Sequence, residues 1–332
     1  MNKWYSTQGN NSDVVLSSKI RLARNIDKVP FPCRMSNEVR KSVCKKIFAA
    51  IQNSKFAGEF DLIELNSLSE IEKIALSEKG FISSEMAGQT MYSALLLSKD
   101  ESCSIMLCEE DHIRLCVMEA GEDLKSAYKK ANELDNVLIE SMRIAFDKRL
   151  GFLTSNPMHL GTGMKASVAL HLPAISERKM ISTLSSMVGK LGFSIKPLFS
   201  GNGAFYELSN EISLGITEES ALDNLGAICE QIIIQERKFR NELMEYADFE
   251  DKIFRAMGTL KMARKLTTKE FLELISLARL GVSMNSFDIS YEKIGNMIHS
   301  LGTASIISQA ETEFSVDDAD RMRAQYVREN IE

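Results

Sequence analysis

The chain has 332 residues, of which 44% are hydrophobic and 26% charged, with a formal net charge of −6. These figures suit a globular protein of one large domain plus a smaller one, and they argue against nucleic acid as a direct partner. With no apolar run of about 18 residues, a membrane span is not expected.

Segment 14–22, VVLSSKIRL, alternates like a strand. Ser36 is placed to cap a helix running to about residue 54. Ser67 and Glu70 have capping-box spacing for a helix over 68–79. Segments 91–97 and 103–108 read as adjacent strands leading into a third over 109–117. A helix is expected over 122–147, from Leu124, Ala127, Ala131, Leu134, Val137, Leu138 and Met142 at helical spacing. Strands return at 165–172 and 204–214, with a helix near 175–190 between them. The order lacks regular βαβ alternation, so the first domain reads as α+β, an antiparallel sheet flanked by helices. Thr217 can cap a helix to about 245, followed by helices at 250–265, 268–280, 287–299 and 316–330. Thr267 and Glu270 again have capping-box spacing. A boundary near 245–250 divides the chain into residues 1–247 and a small helical domain, 248–332. The polar start MNKWYSTQGNNSD has no signal-peptide core. Six cysteines, at 33, 44, 103, 108, 116 and 229, form no CxxC pair and read as reduced thiols of a cytoplasmic protein. The four histidines form no HExxH-type cluster, so no metal site is expected.

The stretch LCEEDHIRLC, 107–116, puts five charged or titratable residues into an apolar strand pattern. Alternation places Glu110, His112 and Arg114 on one face with Cys108 and Cys116, and Glu109, Asp111, Ile113, Leu115 and Val117 on the other. On an extended strand Glu110 and Arg114 stand about 13 Å apart, too far to pair and well spaced to hold two ends of a polar ligand. Two further strands carry cations on a polar face. In LSSKIRLARN these are Lys19 and Arg21, beside Ser17. In LGTGMKASVALHLP, Lys165 shares its face with Ser167 and His171. Three such strands in one sheet would gather Lys19, Arg21, Arg114 and Lys165 beside Glu110, an inventory for a polyphosphate next to a cationic substrate. A solvated sheet face is the plain alternative. The GTG at 161–163 either lets the backbone approach a ligand or makes an ordinary turn.

SSKIRLARN followed by PFP, then EEDHIR, then DKRLGFLTS, GTGMKAS and VALHLP, in this order and spacing, resemble the ATP:guanidino phosphotransferases, the family of arginine kinase and creatine kinase. The bacterial protein-arginine kinase branch, the McsB type, is the nearest in pattern. The resemblance implies a phosphagen-kinase-like (glutamine-synthetase-like) catalytic domain with a helical C-terminal domain. It implies ATP and Mg²⁺, and transfer of the γ-phosphoryl group to arginine guanidinium groups of proteins. Phosphate binding falls on Lys19, Arg21, Arg114 and Lys165, with Lys196 as a fifth cation. Catalysis falls on Glu110, Asp111 and Asn156, with Glu110 orienting the guanidinium and accepting its proton. The tail residues Asp320 and Arg323 match part of a phosphoarginine-binding motif. Implied partners are proteins with exposed arginine, a zinc-binding activator, an AAA+ protease unfoldase and a second copy of the chain.

The sequence also departs from that pattern. Asn156 stands in the place of a cysteine, and the loop FSGNGAFYELSN has no acid before Glu207. Lysines at 19, 165 and 196 replace arginines, and Ala319 replaces the first arginine of the tail motif. The alternative is therefore a weak or silent homologue acting as a regulator or adaptor in a proteolytic stress pathway. A kinase for small guanidines is disfavoured, because the helical N-terminal substrate domain of those enzymes has no counterpart.

Overall fold

A computed structural model describes residues 2–310 and 314–331. Eight antiparallel strands form the central sheet: β1 Val15–Arg24, β2 Phe60–Glu64, β3 Ala94–Ser98, β4 Cys103–Leu107, β5 Ile113–Ala120, β8 Met164–His171, β9 Phe193–Pro197 and β10 Phe205–Asn210. Their spatial order is β2-β3-β4-β5-β1-β8-β10-β9. A two-residue ribbon, β6 Phe146–Asp147 with β7 Gly151–Phe152, stands apart. The helices of this part are α1 Asn37–Gln52, α2 Glu70–Glu78, α3 Ser84–Ala87, α4 Leu124–Ser141, α5 Pro173–Glu177, α6 Ile181–Gly189 and α7 Glu218–Leu243. Then come α8 Ala247–Met262, α9 Thr268–Ser283, α10 Tyr291–Ser300, α11 Thr303–Ile307 and α12 Val316–Asn330.

The sheet is amphipathic across its thickness. Ile20, Leu22, Ile113, Leu115, Val117, Ala166, Val168 and Leu170 point to one face and are buried under α1, α4, α6 and α7 in the main core. Opposite side chains of an antiparallel pair share a face, so the alternate residues of the same strands are presented together on the other side. The tail helices build a second core around Phe271, Ile275, Met297 and Val327, which takes in Phe205 of β10.

Several expectations are corrected in detail. The strand read over 109–117 begins only at Ile113; residues 109–112 form a turn. Cys108 enters it with φ 59°, and its N–H closes it on the His112 carbonyl at 3.0 Å. The capping box sits two residues later than read, on Ser69 and Glu72. The helix over 122–147 ends at Ser141, and the strand over 204–214 ends at Asn210. The helix near 175–190 is two helices, separated by Lys179 at φ 58°. Strands β2 and β9, at the two sheet edges, had no clear sequence signal.

One buried ion pair of α7 sits at a junction of α5, the segment before β1 and, through Arg279, the tail. Glu236 of α7 accepts from the N–H groups of Ala174 and Ile175 at the start of α5, both at 3.0 Å, and pairs with Arg240 at 2.8 Å. Arg240 also donates to the carbonyls of Asp13 and His171, each at 2.9 Å. From the tail, Arg279 donates to the same Asp13 carbonyl and to that of Ser12. Removing one partner of a fully buried pair leaves an uncompensated charge and costs about 3–5 kcal/mol. Arg240→Ala should lower unfolding stability by that amount in chemical denaturation, and an unchanged midpoint would show that the pair is not holding the junction.

Candidate active site

The register of β1 with its neighbours sets the site. Arg21 faces Cys116 of β5 and Lys165 of β8; Lys19 faces Met118 and Ser167; Ala23 faces Arg114. Glu207 of β10 faces Ala169 on one side and Lys196 on the other. Lys19, Arg21, Arg114 and Lys165 therefore lie on the face away from the main core, as the alternation of the three strands predicts, and Lys196 of β9 joins them there.

Five cations on one surface repel one another, and carboxylates are set among them. Glu211 lies 3.3 Å from Lys196 and 4.0 Å from Lys165. Burial works against its charge, but the Ser194 hydroxyl and the two lysines hold its carboxyl below the ordinary range. Burial, then Arg21, pulls the Lys165 pKa down, while Glu207 opposes this. Burial and the adjacent Arg114 likewise lower that of Arg21.

Arg114 differs most from its expected setting. Because 109–112 turns back instead of extending, its guanidinium meets both glutamates: Nη1 donates to Glu109 and Nη2 to Glu110, at 2.8 and 2.7 Å. The separation that would keep Glu110 and Arg114 apart does not exist. Glu109 is buried and also accepts from the Ser83 hydroxyl at 2.7 Å. Glu110 is more exposed. Burial, with Asp111 and Glu109 nearby, raises its pKa despite Arg114 and Arg21.

The turn is held from below. Asp111 is fully buried, and its Oδ1 accepts from Asn25 Nδ2 and from the Ser155 N–H, both at 2.7 Å. Its Oδ2 has no hydrogen-bond partner among the described residues. His112, drawn from sequence as part of the polar face, is buried instead. Its Nδ1 accepts from the Ile26 N–H, and its Nε2 donates to the Pro30 carbonyl at 2.8 Å. Burial keeps its pKa low, so it serves as a neutral brace.

Asn156 starts a short turn, Pro157–His159, and its side-chain oxygen accepts from the Met158 N–H at 3.0 Å. That carbonyl is already engaged as a cap. At the other end of this turn, His159 Nε2 lies 3.3 Å from Arg21 Nη2. One donor atom each from Glu110, Asp111 and His159 fall within 4.8 Å of one another. Two carboxylates and an imidazole can hold a cation. Arg114 and Arg21 already lie against Glu110 and His159, which favours an organic cation with directed N–H groups over a bare metal ion. Glu109, His159 and Glu211 were missed by sequence reasoning. Only proximity to the recognised motifs marked the first two, and nothing marked Glu211.

The GTG glycines serve the protein's own backbone. Gly161, at φ +97°, lies against the Ser213 carbonyl, and a Cβ on Gly163, at φ +61°, would come within 2.8 Å of the Ala23 carbonyl. A cavity opens beside Lys19, Ser167 and Glu207, walled on the tail side by Arg279, Tyr291 and His299. Asp320 and Arg323 are elsewhere, inside the tail. Arg323 is fully buried and donates to the carbonyls of Leu301 and Leu266, to Asp320 and to the Thr303 hydroxyl, at 2.6–2.8 Å.

The chain is similar to known proteins along its whole length. A family model described as ATP:guanido phosphotransferase, C-terminal catalytic domain, matches residues 42–239, and one described as protein-arginine kinase McsB C-terminal domain matches residues 246–332. Protein-arginine kinase of Clostridium acetobutylicum is 36% identical over 339 residues, covering 100% of both chains. That of Clostridium tetani is 34% identical over 100% of this chain and 99% of its own. Among solved structures, the duplicated taurocyamine kinase of Schistosoma mansoni superposes with TM-score 0.61 at 23% identity, over 82% of this chain and 41% of that one. Lombricine kinase does so with TM-score 0.60 at 20% identity, over 70% of each chain. At that identity the likeness establishes the fold.

The clamp on Arg114 is testable without any ligand. A hydrogen bond to a charged group contributes about 1.5–3 kcal/mol. Glu109→Ala should lower stability by that amount, since it strips one of two anchors from a buried guanidinium. A urea titration indistinguishable from wild type would assign the support of Arg114 to Glu110 alone.

Proposed function

Because the chain belongs to the ATP:guanido phosphotransferase family, we propose that it is a protein-arginine kinase, with Mg·ATP and protein arginine as substrates. The observation that carries this reading is the single sheet face on which Lys19, Arg21, Arg114, Lys165 and Lys196 end at Glu110 and Asp111. The cations suit the phosphates of Mg·ATP, and the cavity beside Lys19 adjoins them. Mg²⁺ bound to the nucleotide would supply further positive charge for its phosphates.

At the other end, a guanidinium is a poor nucleophile with a pKa above 12. It needs an anion that orients it and takes its proton. Glu110 is accessible and next to Arg114, so it can meet the substrate cation while the phosphoryl group is still attached to ADP. The proton leaves the attacking nitrogen for Glu110, the N–P bond forms, and the bond from the γ-phosphorus to the β-phosphate oxygen breaks, releasing ADP. Asp111 is held too rigidly to move with the substrate. Its unpartnered Oδ2 offers a fixed acceptor to a guanidinium N–H. Asn156 acts by shaping the turn that brings His159 into the site. Positioning supplies most of what such a transfer requires of the protein.

The deciding experiment is phosphoarginine mass spectrometry of a protein substrate after incubation with Mg·ATP. Phosphoarginine that disappears with Glu110→Gln supports the kinase. Its absence with wild-type protein that still binds Mg·ATP would favour the silent regulatory homologue. Arg114→Ala should weaken Mg·ATP binding by about 1.5–3 kcal/mol in calorimetry, and equal affinities would remove Arg114 from the phosphate site. The raised Glu110 pKa fixes the sign of the pH dependence. The base form exists above that pKa, so activity should fall on acidification at a pH above the ordinary glutamate range. A pH–rate profile with no such acid limb would take the proton-accepting role away from Glu110.

A further inference from the structure

The residue at position 156 has its side-chain carbonyl engaged in capping its own turn, so the acceptor half of the site needs another group to orient the arginine. We infer that His159 is that group: its Nε2, held by Arg21 in the free protein, turns to accept from the arginine substrate once nucleotide phosphates draw Arg21 away. The inference rests on the reading that Mg·ATP and arginine are the substrates.

Three features of the geometry converge. His159 stands at the junction of the two half-sites, with Arg21 3.3 Å away on one side and the carboxylates of Glu110 and Asp111 within 4.8 Å on the other. Arg21 can only donate, so Nε2 is the accepting nitrogen and Nδ1 carries the proton. The third is the buried Asp111 Oδ2, which has no donor among the described residues. A guanidinium set among these groups would give N–H groups to them.

The groups facing the imidazole are Arg21 from β1, Arg114 from β5, Lys165 from β8, and Glu110 and Asp111 from the turn. Burial, then Arg21 and Arg114, pushes its pKa down to about 4, so it is a neutral acceptor at neutral pH. A phosphate that engages Arg21 through Nη2 takes the donor that holds His159. Nucleotide binding should therefore release the imidazole, and the site should hold arginine more tightly after the nucleotide than before it.

The test is calorimetric titration of an arginine-containing peptide into the full chain, with and without Mg·ADP, for wild type, His159→Ala and His159→Asn. In wild type, Mg·ADP should tighten peptide binding roughly tenfold or more, the weight of one charge-assisted hydrogen bond. His159→Ala should lose that enhancement, and His159→Asn, whose amide oxygen is again an acceptor, should recover part of it. Folding of each variant is checked by its own Mg·ADP titration. If Mg·ADP binds and the peptide affinity is the same in all three proteins, or is indifferent to Mg·ADP in wild type, the role of His159 is refuted and the kinase reading stands. If wild type binds no Mg·ADP, both fall.

Discussion

The register of β1 between β5 and β8 is the constraint on which everything else depends. It brings Lys19, Arg21, Arg114 and Lys165 to one surface, a concentration of like charge that an isolated sheet would resist. Because side chains alternate with period two, a slip of one residue would carry Lys19 and Arg21 into the core and Ile20 and Leu22 into the cleft. Burial of Ile20, Leu22 and their partners under α4 and α7 prevents that slip. The hydrophobic face thus enforces the electrostatic one. The repulsion is then eased locally by Glu109, Glu207 and Glu211, which lie among the cations. What results is a surface already arranged for polyanionic charge.

The turn at 109–112 adds the opposite requirement, a carboxylate exposed enough to meet a cation. Here the sequence EEDH divides its labour by burial. Glu109 is spent on Arg114 and Ser83, Asp111 on Asn25 and Ser155, and His112 on Ile26 and Pro30. Glu110 alone is left near the opening, with its carbonyl fixed by the Ser155 hydroxyl. Three buried neighbours thereby set the position of one exposed acid, which is the arrangement a positioning mechanism calls for.

Period-two alternation made the sheet's cationic face legible in the sequence, and cap residues made most helices legible. The turn was not legible, because its entry is a cysteine in the left-handed region, where glycine or asparagine would have signalled it. Its charged residues kept a strand-like pattern through a backbone that no longer extends. The misreading put Glu110 and Arg114 apart when they are bonded, and assigned Glu109 to the wrong face. Edge strands β2 and β9 are short and partly solvated, so they carry no continuous apolar run. Glu211 reaches Lys196 and Lys165 only through pairing of β9, β10 and β8, a relation that no local window contains.

The tail reads in sequence as a separate helical module, yet its core is not its own. Phe205, from β10, is fully buried among Phe271, Leu272 and Ile275, with Leu16, Leu198 and Phe199 packed alongside. Arg279 satisfies the carbonyls of Ser12 and Asp13, and Glu78 of α2 accepts from the N–H groups of Ala304 and Ser305 at the start of α11. Detaching the tail would therefore expose apolar surface and orphan backbone groups on the first domain. It would also remove one wall of the cavity beside Lys19, to which Arg279, Tyr291 and His299 contribute. The buried guanidinium of Arg323 follows the same logic. Four internal acceptors bind it into the junction of α12 with the segments around Leu266 and Thr303, so its first consequence is to hold the tail in the shape that closes that wall. Loosening this junction would disturb that wall through packing alone.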